Sequence, residues 1–394
     1  MKVLFDHQAF EIQRWGGVTR YFTELISGLP GRAEVDLALA RSMNEHVPRL
    51  ERLLGVRITD RGFPETFLGG ARFPGRKQLR SIAKRLDRSL DARRVNKRTS
   101  LAKLRAGGFD LFHPTYYDPY CLDVLGGRPF VLTVFDLTHE VLAEHFSPRD
   151  PVPAWKRTMA RAATRIVAIS EHTKRDLVRL LGVDPGDVDV VHLGFEAPAT
   201  SGVPPPSLPE RYVLFTGTRV SYKNWAFSVR ALAPLLHDTP GLHLVCTGDP
   251  FSSEERELIE AERLSDRVLH VSAGEGGMSP LYARAAVFVF PSLYEGFGLP
   301  VLDAFAAGCP AAVATGSSLP EVAGDAALTF DPRSADGIRS AVETLLRDAV
   351  VRERLVERGR ARVRGFTWDA TCARTLETYE RALGAPERRA SLAR

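Results

Sequence analysis

Short β-rich runs alternate with helical patterns along this chain, and the alternation occurs twice. The runs lie at 2–5, 35–39, 111–113, 130–135 and 166–169 in the first half, and at 212–217, 243–247, 268–272, 287–290, 311–314 and 327–330 in the second. Such alternation indicates parallel sheets covered by helices, with ligands bound beyond the carboxyl ends of the strands. We therefore predict an α/β fold with two doubly wound domains.

A proline-rich stretch separates the two halves. Residues 196–209 hold five prolines in fourteen positions, and such a segment cannot continue a helix or a central strand. At 394 residues the chain is also long for a single core. We predict a first domain over 1–195, a linker over 196–210, a second domain over 211–365, and a C-terminal helix and tail over 366–394 that cross back to the first domain.

The cysteines favour a reducing compartment, and the hydropathy of the chain predicts neither a signal peptide nor a membrane span. The four cysteines are scattered, without the spacing of a metal knuckle or a disulfide framework. The N-terminal apolar run is too short for a signal peptide, and no stretch approaches the ~18 apolar residues that span a bilayer. We expect a cytoplasmic protein whose membrane contacts, where they exist, are peripheral.

One basic run stands out from the modest net charge of +5. Residues 72–105 contain thirteen Lys or Arg against two acids, with apolar residues at helical spacing between them. Three readings fit a helix near 76–98: a solvated helix with one buried face, a helix on anionic lipid, and, less favoured, a nucleic-acid contact.

The stretch 287–305 predicts a strand, a glycine loop and a helix in succession. Pro291 ends the apolar strand, and Pro300 opens the helix, where a missing N–H has no cost. Helix N-termini bind anions, whereas Glu295 and Asp303, eight positions apart, would repel them unless they accept hydrogen bonds from sugar hydroxyls. A sugar joined to a phosphate satisfies both features; the alternative is an ordinary βα unit with a helix-capping acid.

Two further loops supply groups suited to a diphosphate. Gly217 follows the first strand of the second half, and Arg219 and Lys223 follow it four positions apart. Arginine binds phosphate oxygens bidentately and lysine acts as a point charge. In the first half, Gly16 and Gly17 open a helix, where the backbone can approach a substrate closely. Together with the Glu295 loop, these residues predict a nucleotide-sugar site.

Three polar residues follow strands of the first half. His113, Asp136 and His139 stand at such strand ends. We assign Asp136 a functional role, because an acid that ends a buried strand is otherwise costly. For His113 and His139 we consider both a structural role and contact with substrate.

These residues lie in motifs that resemble the retaining GT-B glycosyltransferases of family 4, especially bacterial mannosyltransferase-like members that build surface polysaccharides. The resemblance extends over most of the chain. It includes the segments Gly16–Tyr21, Ile169–Lys174, His192–Gly194, Tyr222–Asn224, Tyr294–Pro300, Ser318–Asp325 and Phe366–Trp368. It implies two Rossmann-like domains that face each other across a cleft.

The resemblance also implies roles for the residues that match. Arg219 and Lys223 would hold the diphosphate, with Gly17 near it across the cleft. Glu295 would bind the donor sugar and Asp303 the nucleotide ribose. The backbone N–H groups that would bind sugar hydroxyls or phosphate are those of Phe297, Gly298 and Leu299.

Two positions depart from the family pattern. Asp303 stands where the family has Glu and is one methylene shorter. Phe135 stands where many members carry His before the aspartate, so a catalytic-base role for that histidine cannot be transferred to this chain.

The resulting expectation is a retaining, metal-independent transferase without a cofactor. It would move a hexosyl group, mannose-like and carried by GDP-mannose or a similar donor, to a saccharide or polyprenyl-linked acceptor. The alternatives are a catalytically silent nucleotide-sugar-binding module or partner subunit, and a GT-B nucleotide-sugar epimerase.

Overall fold

The computed structural model describes residues 1–12, 16–58, 91–197, 205, 208–273 and 277–385. Most of the predicted basic helix near 76–98, from 76 to 90, and most of the linker at 196–210 therefore lie outside the described residues.

The first half forms a parallel sheet in two parts. Its strands are β1 (Lys2–Phe5), β2 (Glu34–Leu37), β3 (Leu111–His113), β4 (Val131–Val134), β5 (Arg165–Ala168) and β6 (Val188–Val190). The orders are β2-β1-β3 and β4-β5-β6, and a parallel bridge between Phe112 and Phe130 joins the two parts. Strands β3 and β4 are buried at every position, as expected for a parallel sheet covered on both faces.

Helices cover this sheet. They are α1 (Gln8–Ile12), α2 (Gly17–Gly28), α3 (Val47–Leu54), α4 (Ala92–Ala106), α5 (Leu122–Leu125), α6 (Thr138–Val141), α7 (Val152–Ala162) and α8 (Glu171–Asp176). Helix α8 begins at Ser170, whose hydroxyl accepts a hydrogen bond from the N–H of Thr173 as an N-cap does. Helix α4 buries Asn96, Ser100 and Leu104 at a spacing of four, so one face of it packs against the domain.

The second half forms one six-stranded parallel sheet. Its strands are β7 (Arg211–Phe215), β8 (Leu242–Cys246), β9 (Val268–His270), β10 (Val287–Phe290), β11 (Ala311–Ala314) and β12 (Leu328–Phe330), in the order β12-β11-β10-β7-β8-β9. The strand order reverses between β7 and β10, which are neighbours in the sheet. Loops that leave the carboxyl ends at such a switch point frame a ligand crevice.

The helices of the second half continue to the end of the described chain. They are α9 (Trp225–Asp238), α10 (Ser253–Ala261), α11 (Ser279–Arg284), α12 (Leu299–Ala306), α13 (Leu319–Ala323), α14 (Ala335–Arg347), α15 (Ala349–Val363) and α16 (Trp368–Leu383). The predicted α/β fold with two doubly wound domains is confirmed.

The last helix, α16, packs on the first domain. The Thr371 hydroxyl donates to the carbonyl of His192 at 2.8 Å. Where the chain returns, the N–H of Phe195 donates to the carbonyl of Phe366 at 3.1 Å. The segments near 195 and 366 thus lie side by side between the domains.

Candidate active site

The loops after β7 and β10 are tied together at the switch point. Asn224 adopts a left-handed conformation with φ of 62°, and its amide nitrogen donates to the carbonyls of Pro291 and Pro332 at 3.2 and 2.7 Å. The N–H of Leu293 donates to the carbonyl of Tyr222 at 2.8 Å. These bonds fix the Lys223 segment against the Glu295 segment.

Lys223 and Glu295 form an ion pair at this crevice. The Lys223 Nζ lies 2.6 Å from Glu295 Oε1, and their side chains are 18% and 14% exposed. The Glu295 backbone is held as well, because its N–H donates to the Ser317 hydroxyl and its carbonyl accepts from the Ser318 hydroxyl. A cation and a hydroxyl acceptor therefore occupy fixed positions side by side.

Beyond Glu295 the loop runs into the N-terminus of α12. Gly298 has a φ of 122°, a conformation that favours glycine. In the described part of the chain, no group accepts a hydrogen bond from the N–H of Phe297, Gly298 or Leu299. The first N–H groups of a helix lack intrahelical partners, so these three donors are available to a ligand beside Glu295.

The first domain contacts this loop through Asp136. A Cβ placed on Gly296 would collide with the carbonyl oxygen of Phe135 and lie 3.0 Å from the Asp136 Cβ. The Asp136 turn is itself fixed, because its carbonyl accepts from Lys156 Nζ at 2.9 Å and its Oδ1 accepts from the N–H of Thr138 at 3.0 Å. Asp136 thus lies across the cleft from the Glu295 loop, at backbone contact distance.

Tyr222 lies between the charged groups of the two domains. Burial raises the pKa of its hydroxyl, Lys223 lowers it, and the carboxylates of Glu295 and Asp136 raise it further. Its ring stacks on Phe146 of the first domain, with 6.0 Å between the centroids. Tyr222 therefore lies within electrostatic reach of both Glu295 and Asp136.

A second tyrosine lies on the first-domain side. Burial raises the pKa of Tyr116 to about 12, and the carboxylates of Asp136, Asp150 and Glu140 contribute to that rise. His139 belongs to the same cluster: its Nε2 lies 3.3 Å from Asp150 Oδ2. The wall of the cleft around Asp136 is thus rich in carboxylates and aromatic rings.

Tyr294 and Glu321 of the second domain form polar contacts with the first domain beside the cleft. The Tyr294 hydroxyl donates to Asp176 Oδ2 at 2.7 Å. Burial, and then the Asp176 carboxylate, raise the pKa of Tyr294 well above its ordinary value. Glu321 of α13 accepts from the N–H of Glu171 at 2.9 Å, and one of its oxygens lies 2.6 Å from His192 Nε2. Although burial alone raises the pKa of Glu321, these hydrogen bonds lower it overall.

Asp303 lies on α12, one turn beyond the glycine loop. Burial raises the pKa of its carboxyl from 3.8 to about 6, and the positive charge of Arg20 on α2 opposes that rise. Arg20 belongs to the helix that Gly16 and Gly17 open, so the two halves of the chain approach each other here as well. Gly17 is exposed, and a Cβ there would meet no atom within 4 Å.

Arg219 does not pair with the Glu295 loop. Its Nε donates to Glu255 at 2.8 Å, its Nη1 donates to the carbonyl of Thr247, and its Nη2 donates to the carbonyls of Asp249 and Pro250. The guanidinium also lies over the ring of Phe251, and the side chain is only 4% exposed. In this arrangement Arg219 fixes the loop after β8, and its contact with a diphosphate stays a prediction.

Gly217, which precedes this arginine, is exposed and has a φ of 93°. Its N–H donates to the Thr247 hydroxyl at 3.3 Å. The glycine thus permits the turn that leaves β7, and its contact with a ligand stays a prediction.

His113 requires a correction. Its ring is fully buried, with Nδ1 2.7 Å from the Tyr379 hydroxyl and Nε2 2.9 Å from the Thr133 hydroxyl. Burial lowers its pKa to about 3. A neutral ring with both nitrogens satisfied inside the core cannot bind substrate in the cleft, so the predicted substrate contact is wrong and the structural role holds.

Phe135 also turns inward. Its ring packs edge-on against Tyr21, with 5.2 Å between the centroids, and only its backbone carbonyl faces Gly296. The position therefore contributes its peptide group, and not its side chain, to the cleft.

Four residues at the site are not indicated by spacing along the sequence: Tyr222, Tyr294, Asp176 and Glu321. Tyr222 and Tyr294 directly precede Lys223 and Glu295. This adjacency to predicted site residues could have indicated that the two tyrosines lie at the site. Glu321 lies in one of the motifs that carry the resemblance. Asp176 offered no signal along the chain, because its contact with Tyr294 forms only between the domains.

Within the residues described, no group of three or more His, Cys, Asp and Glu side chains is placed to hold a metal ion. In the same part of the chain, no helix combines the length and apolar character that crossing a membrane requires.

Comparison with known proteins identifies both halves of the chain. Residues 15–197 match the family model Glycosyltransferase Family 4, and residues 201–362 match the model Glycosyl transferases group 1. The two matches together cover most of the sequence.

Individual relatives agree with these matches. The chain is 26% identical to O-antigen chain mannosyltransferase B of Escherichia coli, over 96% of this chain and all of that one. It is 29% identical to the MMP alpha-(1->4)-mannosyltransferase of Mycolicibacterium hassiacum, over 71% and 72% of the two chains. Among solved structures, Anabaena HepE in complex with UDP and glucose superimposes with a TM-score of 0.65 at 18% identity, over 96% of this chain and 99% of that one; at that identity the likeness shows the fold.

Proposed function

We propose, since this chain belongs to the family 4 glycosyltransferases of GT-B fold, that it transfers a hexosyl group from a nucleotide diphosphate sugar to a saccharide or lipid-linked saccharide with retention of configuration. The favoured donor is GDP-mannose or a related GDP-deoxyhexose, and the favoured setting is bacterial surface polysaccharide synthesis. Similarity to two mannosyltransferases supports the choice of sugar.

The observation that carries this proposal is the pair formed by Lys223 and Glu295. A lysine ammonium and a carboxylate held 2.6 Å apart at the switch point of a doubly wound sheet suit a ligand with a phosphate at one end and hydroxyls at the other. Lys223 would share its charge between Glu295 and the diphosphate. Glu295 would then accept hydrogen bonds from hydroxyls of the donor sugar.

The helix N-terminus supplies the second part of the donor site. The N–H groups of Phe297, Gly298 and Leu299 donate to phosphate or sugar oxygens, where the dipole of α12 favours negative charge. Asp303 accepts from the ribose hydroxyls in its ionised form. Fixed donors of this kind stabilise developing charge by about 3 kcal/mol each.

In the transfer step the bond between the anomeric carbon and the diphosphate oxygen breaks. The acceptor oxygen bonds to the same face of that carbon, and its proton passes to the departing phosphate. Lys223 and the α12 N–H groups compensate the charge that develops on the diphosphate, and in this proposal they do so without a metal ion. Asp136 orients the acceptor, because its Oδ1 is engaged by Thr138, while no group among the described residues donates to Oδ2, which can accept from a hydroxyl.

The surroundings of Asp136 favour a saccharide acceptor. Carboxylates and aromatic rings, including those of Asp150, Tyr116 and Phe146, form the adjacent wall. Carboxylates accept from hydroxyls, and aromatic faces pack against the apolar faces of sugar rings. Closure of the domains over this wall excludes water and reduces hydrolysis of the donor.

The deciding experiment uses the purified full chain and a panel of UDP-, GDP- and dTDP-sugars. Thermal shift identifies the donor that binds, because a ligand at 100 times its Kd adds roughly 2.7 kcal/mol of stability. Incubation with that donor in labelled form then separates the alternatives. Transfer or slow hydrolysis of the donor establishes an enzyme, whereas binding without turnover establishes a silent nucleotide-sugar module.

We also propose that the protein works in the cytoplasm and docks on anionic membrane through the basic run near 76–98. Basic residues near such a surface contribute roughly 1 kcal/mol each. Exchanging Arg76, Arg80 and Lys84 for Glu is expected to abolish sedimentation with phosphatidylglycerol vesicles. Unchanged sedimentation of that variant would exclude this contact.

A further inference from the structure

A cavity lies at the opposite edge of the second sheet from the cleft. Its volume is about 850 Å³, which is within the usual range for small-molecule sites. Its lining includes Arg211, Ala286 and Pro310, which begin or directly precede strands β7, β10 and β11. These strands have four or five residues, so roughly 15 Å of sheet separates the cavity from the loops after the same strands. The cavity is therefore distinct from the site described above.

Helix α15 supplies the other wall, and the charge on this wall is mainly positive. Four arginines and two glutamates line the cavity: Arg211, Arg352, Arg360, Arg364, Glu353 and Glu357. In the described chain none of these six residues forms an ion pair with another residue. Four positive and two negative groups leave a net charge of about +2 in one concave surface.

The position of Arg360 is supported by a glycine. Gly308 has a φ of 71°, and a Cβ there would lie 2.7 Å from Arg360 Nη2. The guanidinium thus lies against bare backbone just before β11. Arg352 is fixed differently, because its Nη1 donates to the carbonyl of Leu345 at 3.0 Å.

Other arginines of the same helix are engaged elsewhere. Arg358 pairs with Asp325 at 3.1 Å, and Arg362 donates to the carbonyls of Glu321 and Val322. The helix therefore turns Arg358 and Arg362 toward α13, whereas Arg352 and Arg360 line the cavity. The four arginines of the cavity outnumber its two glutamates. The excess positive charge is mutually repulsive, and a bound anion would reduce that repulsion.

We propose that this cavity binds a phosphate monoester group. Such a group carries a charge near −2 at neutral pH, which matches the net charge of the cavity. Guanidinium groups bind its oxygens bidentately. The group could belong to a soluble phosphorylated metabolite or to the headgroup of a phospholipid, and the chemistry of recognition is the same.

The test measures binding of glycerol 3-phosphate to the full chain by isothermal titration calorimetry. The double variant Arg360→Ala/Arg364→Ala is expected to weaken binding at least about tenfold, the scale of losing one charge-assisted contact. Arg358→Ala removes a charge from the same helix outside the cavity and is expected to leave the affinity unchanged. Lys223→Ala is expected to leave it unchanged too, because Lys223 lies in the cleft.

A parallel arm uses vesicles that contain phosphatidic acid. Every protein in this arm carries Arg76, Arg80 and Lys84 exchanged for Glu, so that the basic run near 76–98 does not contribute to vesicle binding. If the double variant loses binding of glycerol 3-phosphate, a soluble ligand is supported. If the double variant alone loses binding to the vesicles, a lipid headgroup is supported. Circular dichroism shows that the variants are folded. The proposal is overturned if protein with an intact cavity binds neither glycerol 3-phosphate nor, with its basic run exchanged, the vesicles. It is also overturned if Arg358→Ala or Lys223→Ala loses binding as much as the double variant does.

Discussion

The Nζ of Lys223 lies 2.6 Å from Oε1 of Glu295, and the loops that carry the two residues leave adjacent strands at the point where the strand order reverses. Lys223→Ala removes the cation that we assign to the diphosphate. We expect kcat/KM to fall at least about 100-fold, as when one charge-stabilising group is lost. Steady-state kinetics with the identified donor measures the change, and Lys223→Arg, which keeps the charge, serves as the control. Near-normal turnover of Lys223→Ala would remove Lys223 from the mechanism.

Glu295→Gln keeps the shape of the side chain but loses its charge. A neutral amide accepts hydrogen bonds from sugar hydroxyls more weakly than a carboxylate does, so we expect kcat/KM to fall about 100-fold while affinity for the free nucleoside diphosphate is retained. Titration calorimetry with the nucleotide and kinetics with the donor separate the two effects. An equal loss of nucleotide affinity would contradict a role on the sugar.

Asp303 makes stability depend on pH. Its pKa in the folded protein is about 6, above the ordinary value of 3.8. The free energy of unfolding therefore decreases as the pH rises from about 4 to about 6, and the full destabilisation is present above about pH 6. Asp303→Asn should therefore stabilise the protein by on the order of 2–3 kcal/mol at about pH 7.5 and by little near pH 4. Denaturant unfolding at both pH values measures this. The exposed Asp266 provides the control substitution Asp266→Asn, and an equal gain at both pH values would contradict the prediction.

Gly296→Ala tests the contact between the domains. Its Cβ would collide with the Phe135 carbonyl, so the domains could not approach as they do here. Since a displacement of about 1 Å can cost a hundredfold in rate, we expect activity to fall by about that factor with little loss of nucleotide binding. Small-angle scattering should report a more extended particle. Gly384→Ala, where the nearest atom is 3.5 Å away, is the control, and wild-type turnover of Gly296→Ala would show that this contact is dispensable.

Arg219→Ala is expected to lower stability more than Lys223→Ala does. It leaves Glu255 and three backbone carbonyls without their donor, and removing one partner of a buried pair typically costs about 3–5 kcal/mol. The exposed pair of Arg339 and Asp336 offers the comparison Arg339→Ala, for which about 1 kcal/mol or less is expected. Chemical denaturation measures all three variants. A loss for Arg219→Ala as small as that for Arg339→Ala would show that its hydrogen bonds contribute little.

The architecture could be predicted because strands that are buried on both faces consist of consecutive apolar residues. Strand β10 ends at Phe290, directly before Pro291, and helix α12 has Pro300 in its first turn, as predicted. Strand β6 was not predicted, because Val188–Val190 is short and carries Asp189 at its centre, where an ion pair with Arg165 compensates the acid. That ion pair is a tertiary contact, so the periodicity of the sequence could not indicate it.

The site could be predicted only as a set of loops. Spacing along the sequence indicates which residues follow a strand, but not which way their side chains turn. Lys223 turns toward Glu295, whereas Arg219 turns to Glu255. His113 ends strand β3 and Asp136 follows strand β4. The His113 ring nevertheless enters the core, where Tyr379 from the far end of the chain supplies a partner. Neither outcome depends on nearby sequence.

The chain passes between its two halves twice, and the two passages lie beside each other. The N–H of Phe195 donates to the carbonyl of Phe366, and a Cβ on Gly194 would lie 2.5 Å from the backbone nitrogen of Trp368. Two adjoining segments act together as a hinge, which permits rotation of the halves about one axis and restricts rotation about the others. A fluorophore attached to the exposed side of α16 would consequently travel with the half that holds Asp136, and its distance to a label on the other half would report opening.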